Sequence, residues 1–229
     1  MKAVQLPKDK SVKVEPSVFT HEEIQKLVSA AKDSISLNFI FVFAEFTGMR
    51  EGEILALTYG DIDMVGSIIH VNKTINFLKI DGVYQPLVTK PKTPESIRDI
   101  PIFNDIKPLL AAYIANEKEK HLRLGIPFSK DSILFSSVAG TYIEASNLRK
   151  RLKRLLNKLG IPQRNFHMLR HTFCSLLSEM GVPLKTASEL MGHSDIAITA
   201  KTYTHTGMDE KKRAMSALSG VFDLHIFNT

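Results

Sequence analysis

The chain has 229 residues, is 44% hydrophobic and 24% charged, and carries a formal net charge of +6. These are the proportions of an ordinary globular protein with enough length for a real core. A single cysteine, Cys174, excludes an internal disulfide framework, and the longest apolar run, Phe39–Ala44, is far too short to span a bilayer. Met1–Lys10 lacks the apolar core of a signal peptide. The expectation is a soluble protein of a reducing, cytoplasmic compartment with no membrane contact. Its mild basicity points towards polyanions, as it does for many proteins that bind none.

In chain order, residues 1–18 show no helical period and read as a leader or linker. Thr20 with Glu23 forms a capping-box signature that opens a helix through about Ala31, with Ile24, Leu27 and Val28 inward. Leu37–Phe46 is apolar nearly all round and predicts a buried helix ended at Thr47-Gly48; Glu51–Leu57 restarts a short one. Strands follow at Ser67–Thr74, Tyr84–Val88 and Ser96–Ile102, with a hairpin turn at Asp81-Gly82. The prolines of Thr89–Pro94 keep that stretch out of a regular strand and leave an exposed basic loop. Helices are expected over Asn104–Leu124, Glu144–Leu159, His167–Met180, Leu184–Met191 and Asp209–Leu218, with a short extended piece at Ile133–Ser136. The fold class is α+β: mostly helical, with one small antiparallel three-stranded sheet.

Two stretches carry chemistry. Ala145–Ser178 contains no acid but holds Arg149, Lys150, Arg151, Lys153, Arg154, Lys158, Arg164 and Arg170. A basic helix is usually a solvated face, yet the absence of compensating acids over so long a run favours a nucleic-acid backbone. Phe166–His205 gathers His167, Arg170, His171, His193, Tyr203 and His205. The first three, at i, i+3 and i+4, share one helical face. A zinc site there lacks the glutamate of the metalloprotease pattern, since Met168 stands in its place. An anion site suits the cluster better, with Arg170 forking onto phosphate oxygens and His167 moving a proton. Leu190–Asp195 reads as a helix end, a glycine turn and a new helix capped by Ser194 or Asp195. A phenol such as Tyr203, with a pKa of about 10, costs on the order of 4 kcal/mol to ionise at pH 7 unless cations help.

Four segments resemble the catalytic domain of the tyrosine recombinases, the phage-integrase family: Thr47–Ile54, His167–Phe173, Leu190–Ser194 and Thr202–His205. They come in the family's order and cover roughly residues 20–207, and they look most like integrases of conjugative transposons and phages of low-GC Gram-positive bacteria. The resemblance implies a site-specific recombinase that cuts and rejoins double-stranded DNA through a 3′-phosphotyrosyl bond, needing no cofactor and no metal. It implies Tyr203 as nucleophile, Arg50 and Arg170 as the clamp on the phosphate, His167 and His193 as its partners, and Glu53 and His171 in support. A loop lysine would protonate the leaving oxygen; Lys92, just before Thr93 and ahead of Ile100-Pro101, fits better than Lys90. DNA backbone contacts would come from Lys90, Arg149, Lys150, Arg151, Lys153 and Arg154. Asp61 and Asp63 match the turn into the sheet rather than a metal pair.

The resemblance also sets the domain plan: a linker at 1–18, a catalytic domain over 19–207, and a helix and tail at 208–229 that dock on a neighbouring protomer. Family members carry a further N-terminal DNA-binding domain, so this chain reads as an excised catalytic domain that binds DNA weakly. The full-length protein would work as a tetramer on DNA, with an accessory bending or directionality factor, at a bacterial nucleoid. Two other readings stay open: a type IB topoisomerase-like strand transferase, and a DNA-binding protein without catalysis.

Overall fold

A computed structural model describes residues 18–33, 37–201 and 203. The helix and tail expected beyond Asp209, and nearly all of the leader, lie outside those residues, as do Thr202, Thr204 and His205. The capping box forms as the sequence predicts. At the start of α1 (His21–Asp33), Thr20 N–H donates to Glu23 Oε2 at 2.9 Å and Glu23 N–H to Thr20 Oγ1 at 3.3 Å. Next comes α2 (Phe39–Thr47), whose first six residues are each at most 1% exposed, so it runs through the centre of the core. Phe39 and Phe43 meet Tyr113 and Phe135 at ring separations of 5.1–6.3 Å, edge-on or tilted. Such pairs add roughly 0.5–1.5 kcal/mol each beyond the area they bury. After Gly48 and Arg50 comes the short α3 (Glu51–Ala56).

The small antiparallel sheets differ from the expectation in which strands pair. β1 (Ile62–Asp63) pairs with β2 (Ile68–Val71), while β3 (Thr74–Ile80) and β4 (Val83–Thr89) form a separate ribbon. β5 (Arg98–Pro101) then pairs with β2, Ile69 facing Ile100, so the three-stranded sheet has the order β1-β2-β5. The single strand expected over 67–74 ends early because Asn72 and Lys73 turn back onto buried Asp61, at 3.2 Å and 2.6 Å. The Asp81-Gly82 turn closes the ribbon with φ of 50° and 84°, as a tight hairpin requires. Every described side chain of β4 is exposed, so that strand stands in solvent.

The helices that follow carry the site. α4 (Lys107–Leu124) starts behind a 3-10 turn at Asn104–Ile106. α5 (Ala145–Lys158) buries Leu148, Leu152, Leu155 and Leu156 and turns Arg149, Lys150, Lys153 and Arg154 outward. α6 (His167–Glu179) packs on α2, α7 (Leu184–Met191) follows, and α8 (Ile196–Ala200) is capped by Asp195, which accepts from Ala197 N–H at 2.8 Å. No helix among the described residues is long and apolar enough to cross a membrane.

Candidate functional site

Three arginines converge on the end of α7. The last carbonyls of any helix lack partners within it. Here those of Ser188 and Glu189 accept from the backbone of His193 and Gly192. The next three accept from guanidiniums: Leu190 O from Arg98 Nε at 2.7 Å, Met191 O from Arg170 Nη2, and Gly192 O from Arg50 Nη2 at 2.8 Å. The negative end of a helix dipole suits such cations. Arg170 also donates from Nη1 to Gly48 O at 2.5 Å, which ties α6 to the end of α2. Glu53 holds the other two, meeting Arg50 Nη1 at 2.7 Å and Arg98 Nη2 at 3.0 Å.

Both glycines at this junction are close approaches with left-handed backbone. A methyl group on Gly48 (φ 60°) would stand 2.2 Å from Phe173 Cδ1, and one on Gly192 (φ 63°) 2.8 Å from Arg98 Nη1. The arginines are therefore fixed before any ligand arrives. Arg170 is buried, and burial together with Arg50 and Arg98 pushes its guanidinium down to about 9, still charged at neutral pH. Arg50 remains 38% exposed at its side chain.

A cavity of about 370 Å³ opens beside them, lined by Arg50, Arg170, His167, Arg149, Glu51 and Asn165 among others. Desolvation, then the charges of His171, Arg170 and Arg50, push His167 down to about 4, so it is neutral at pH 7 and able to take a proton. The His171 ring lies 4.5 Å from it, edge-on, and burial with Arg170 lowers its pKa too. His193 is also pushed down to about 4, by burial and the same arginines. Its Nδ1 is 2.8 Å from the hydroxyl of fully buried Thr199, which leaves Nε2 for a ligand.

Tyr203 is carried on the turn after α8, its N–H donating to Thr199 O and Ala200 O. Its hydroxyl is buried and has no hydrogen-bond partner among the described residues, and burial, then Cys174, pushes it up to about 12. No guanidinium or imidazole among the described residues hydrogen-bonds the phenol. Lys90 and Lys92 are exposed on the β4–β5 connection and bond to no described residue. Lys150, Lys153 and Arg154 are exposed on α5, while Arg151 is half-buried and donates to Asn38 Oδ1 at 2.9 Å. Asp61 caps Thr58 and pairs with Lys73, and Asp63 accepts from the turn at Val65 and Gly66.

One residue of the cluster escaped the sequence reading. Arg98, 6% exposed at its side chain, binds Glu53 and the α7 carboxyl end at once. The available signal was a lone arginine inside the expected strand Ser96–Ile102, where an unpaired charge cannot be buried.

Solved structures share this architecture. The integrase of transposon Tn1549, in complex with circular intermediate DNA, superposes with a TM-score of 0.75 at 26% identity, over 90% of this chain and 69% of that one. The XerA recombinase gives 0.65 at 22% identity, which speaks for the fold alone. That fold defines the class as the catalytic fold of the tyrosine recombinases. The model of the phage integrase family matches residues 17–210, and the chain belongs to that family. It is 37% identical over 222 residues to a XerC-like tyrosine recombinase of Caldanaerobacter subterraneus subsp. tengcongensis, covering 93% of this chain and 56% of that protein. It is 35% identical to the integrase of Staphylococcus phage L54a, over 69% of this chain and 45% of that one. It is 28% identical to the transposase of Tn916 from Enterococcus faecalis, over 90% and 52%. The chain spans about half the length of these curated relatives.

Proposed function

We propose that the chain carries the catalytic domain of a site-specific DNA recombinase of the integrase type, acting on double-stranded DNA in the integration and excision of a mobile element. The observation that carries this reading is the convergence of Arg50, Arg170 and His167 on one cavity from distant segments; Tyr203 follows on the turn after α8. Tyr203 Oη attacks the phosphorus, forming the P–Oη bond and breaking the P–O5′ bond, and its proton passes to neutral His167. Arg50, Arg170 and His193 Nε2 donate to the non-bridging oxygens, where charge develops. Lys92 protonates the leaving 5′-oxygen. A 5′-hydroxyl of a partner strand reverses the steps, and because the ester stores the bond energy the cycle needs no cofactor.

Within this reading Glu53 holds Arg50 in place, His171 flanks His167, and Lys90 and the basic face of α5 follow the DNA backbone. Residues 19–207 form the catalytic domain, 1–18 a linker, and 208–229 a tail that docks on a neighbouring protomer. The full-length protein assembles as a tetramer on DNA, with an accessory bending or directionality factor, in the bacterial cytoplasm.

One observation favours a second reading. The Tyr203 hydroxyl has no hydrogen-bond partner among the described residues, and burial pushes its pKa up to about 12. That disfavours the phenolate and suits a DNA-binding protein without catalysis. A suicide duplex, nicked beside the cleavage site and drawn from the DNA ends flanking the gene, separates the two. An adduct that survives denaturation and is lost in Tyr203→Phe supports catalysis. No adduct, even from a full-length protein, leaves only the second reading.

A further inference from the structure

We propose that Arg149 is a third phosphate-binding arginine of the cavity and that Glu51 is its positioning residue; this rests on reading the cavity as a phosphodiester site. Arg149 reaches the cavity from α5 and meets Glu51, at the first position of α3, side-on. Its Nε lies 3.1 Å from both carboxylate oxygens and its Nη2 2.6 Å from Oε2. A guanidinium has two bidentate edges. This contact uses the Nε–Nη2 edge and leaves the Nη1–Nη2 edge, and no described residue accepts from Nη1. The carboxylate side chain is 16% exposed and the guanidinium 63%, so the arginine is the outer member of the pair.

An ion pair this exposed adds little stability. What it does is hold a long side chain in one orientation at the mouth of the cavity. Helix α3 repeats the device: Glu53 fixes Arg50 and Arg98, and Glu51 fixes Arg149. A carboxylate in an anion cavity opposes its ligand, yet the lining guanidiniums of Arg50, Arg149 and Arg170 outweigh this one. The rest of the basic run is placed differently. Lys150, Arg151 and Arg154 line a separate groove between α5 and the β3–β4 ribbon. Of the basic residues on α5, only Arg149 lines the cavity beside the clamp.

Inorganic phosphate is the probe, titrated into the full chain and followed through the His167 ring resonances. In Arg149→Ala the dissociation constant rises about tenfold, the size of a charge-assisted contact. In Glu51→Ala it also rises, by about three- to fivefold, although a negative charge has been removed. Glu51→Gln keeps an acceptor for Nε and stays near wild type. Melting temperatures without phosphate change little, because both substitutions lie in an exposed pair. Tighter phosphate binding in Glu51→Ala overturns the positioning role. Unchanged binding in Arg149→Ala, with binding lost in Arg50→Ala, overturns the inference and spares the cavity; Arg50→Lys serves if the alanine variant does not fold. Unchanged binding in both variants overturns the two together.

Discussion

Replacing Glu53 with glutamine removes one charge and almost no volume, so its effect isolates the electrostatics of the clamp. The carboxylate is 3% exposed and accepts from Arg50 N–H at 2.9 Å, Arg50 Nη1 at 2.7 Å, and Arg98 at 3.0 and 3.2 Å. An amide offers one acceptor oxygen and turns its own donors on the other guanidinium. Arg98 is then a buried charge without a counter-ion, which costs about 3–5 kcal/mol. In a domain of this size each 1 kcal/mol is worth about 2–4 °C, so the melting temperature falls by roughly 6–20 °C at pH 7.

The pH dependence gives the sign. Burial raises the Glu53 pKa, but the bonds and charges of Arg98 and then Arg50 outweigh it and hold the group below the usual carboxylate range. The stability it lends is complete above the unfolded value and is lost as pH falls through the depressed native one. Glutamine cannot titrate, so the gap between wild type and variant narrows as thermal scans move from pH 7 towards pH 3. Equal melting at pH 7, or a gap that persists in acid, refutes the reasoning.

Glu45 has the opposite sign. It is buried without a partner among the described residues, and burial raises its pKa well above the usual value. Wild type therefore loses stability relative to Glu45→Gln as pH rises from about 4.5 towards that raised value; thermal scans showing the same difference at pH 4 and pH 8 contradict this. Gly192→Ala forces a side chain into left-handed backbone against Arg98, and should destabilise by about 1–3 kcal/mol in denaturant titration. A wild-type midpoint there would show that the loop has slack. His167 should titrate by NMR near pH 4 without ligand and higher with phosphate bound, since an anion favours the imidazolium. A free-protein midpoint near 6.5 would mean that the ring is not held among the arginines.

Local chemistry was legible in the sequence and long-range pairing was not. Thr20 and Glu23, and Asp81-Gly82, each act within a few residues of chain, so their cap and turn could be read directly. Strand pairing depends on where the chain turns, and Lys73 turns towards Asp61, a partner that no periodicity reveals. Arg50 and Tyr203 carried a family pattern, so both could be named as candidate site residues at once. The burial of the Tyr203 hydroxyl was not legible, because a phenol's burial leaves no local mark. Arg98 was hidden for a similar reason: its counter-ion lies 45 residues away.

The central claim is that Tyr203 is joined to a DNA 3′-phosphate. Covalent complex trapped on a nicked suicide duplex, digested with protease and nuclease and analysed by mass spectrometry, tests it directly. The account predicts one nucleotide-bearing peptide, with the residual phosphate on Tyr203 and a free 5′-hydroxyl on the released strand. A nucleotide on any other residue, or a linkage through a 5′-phosphate, contradicts it.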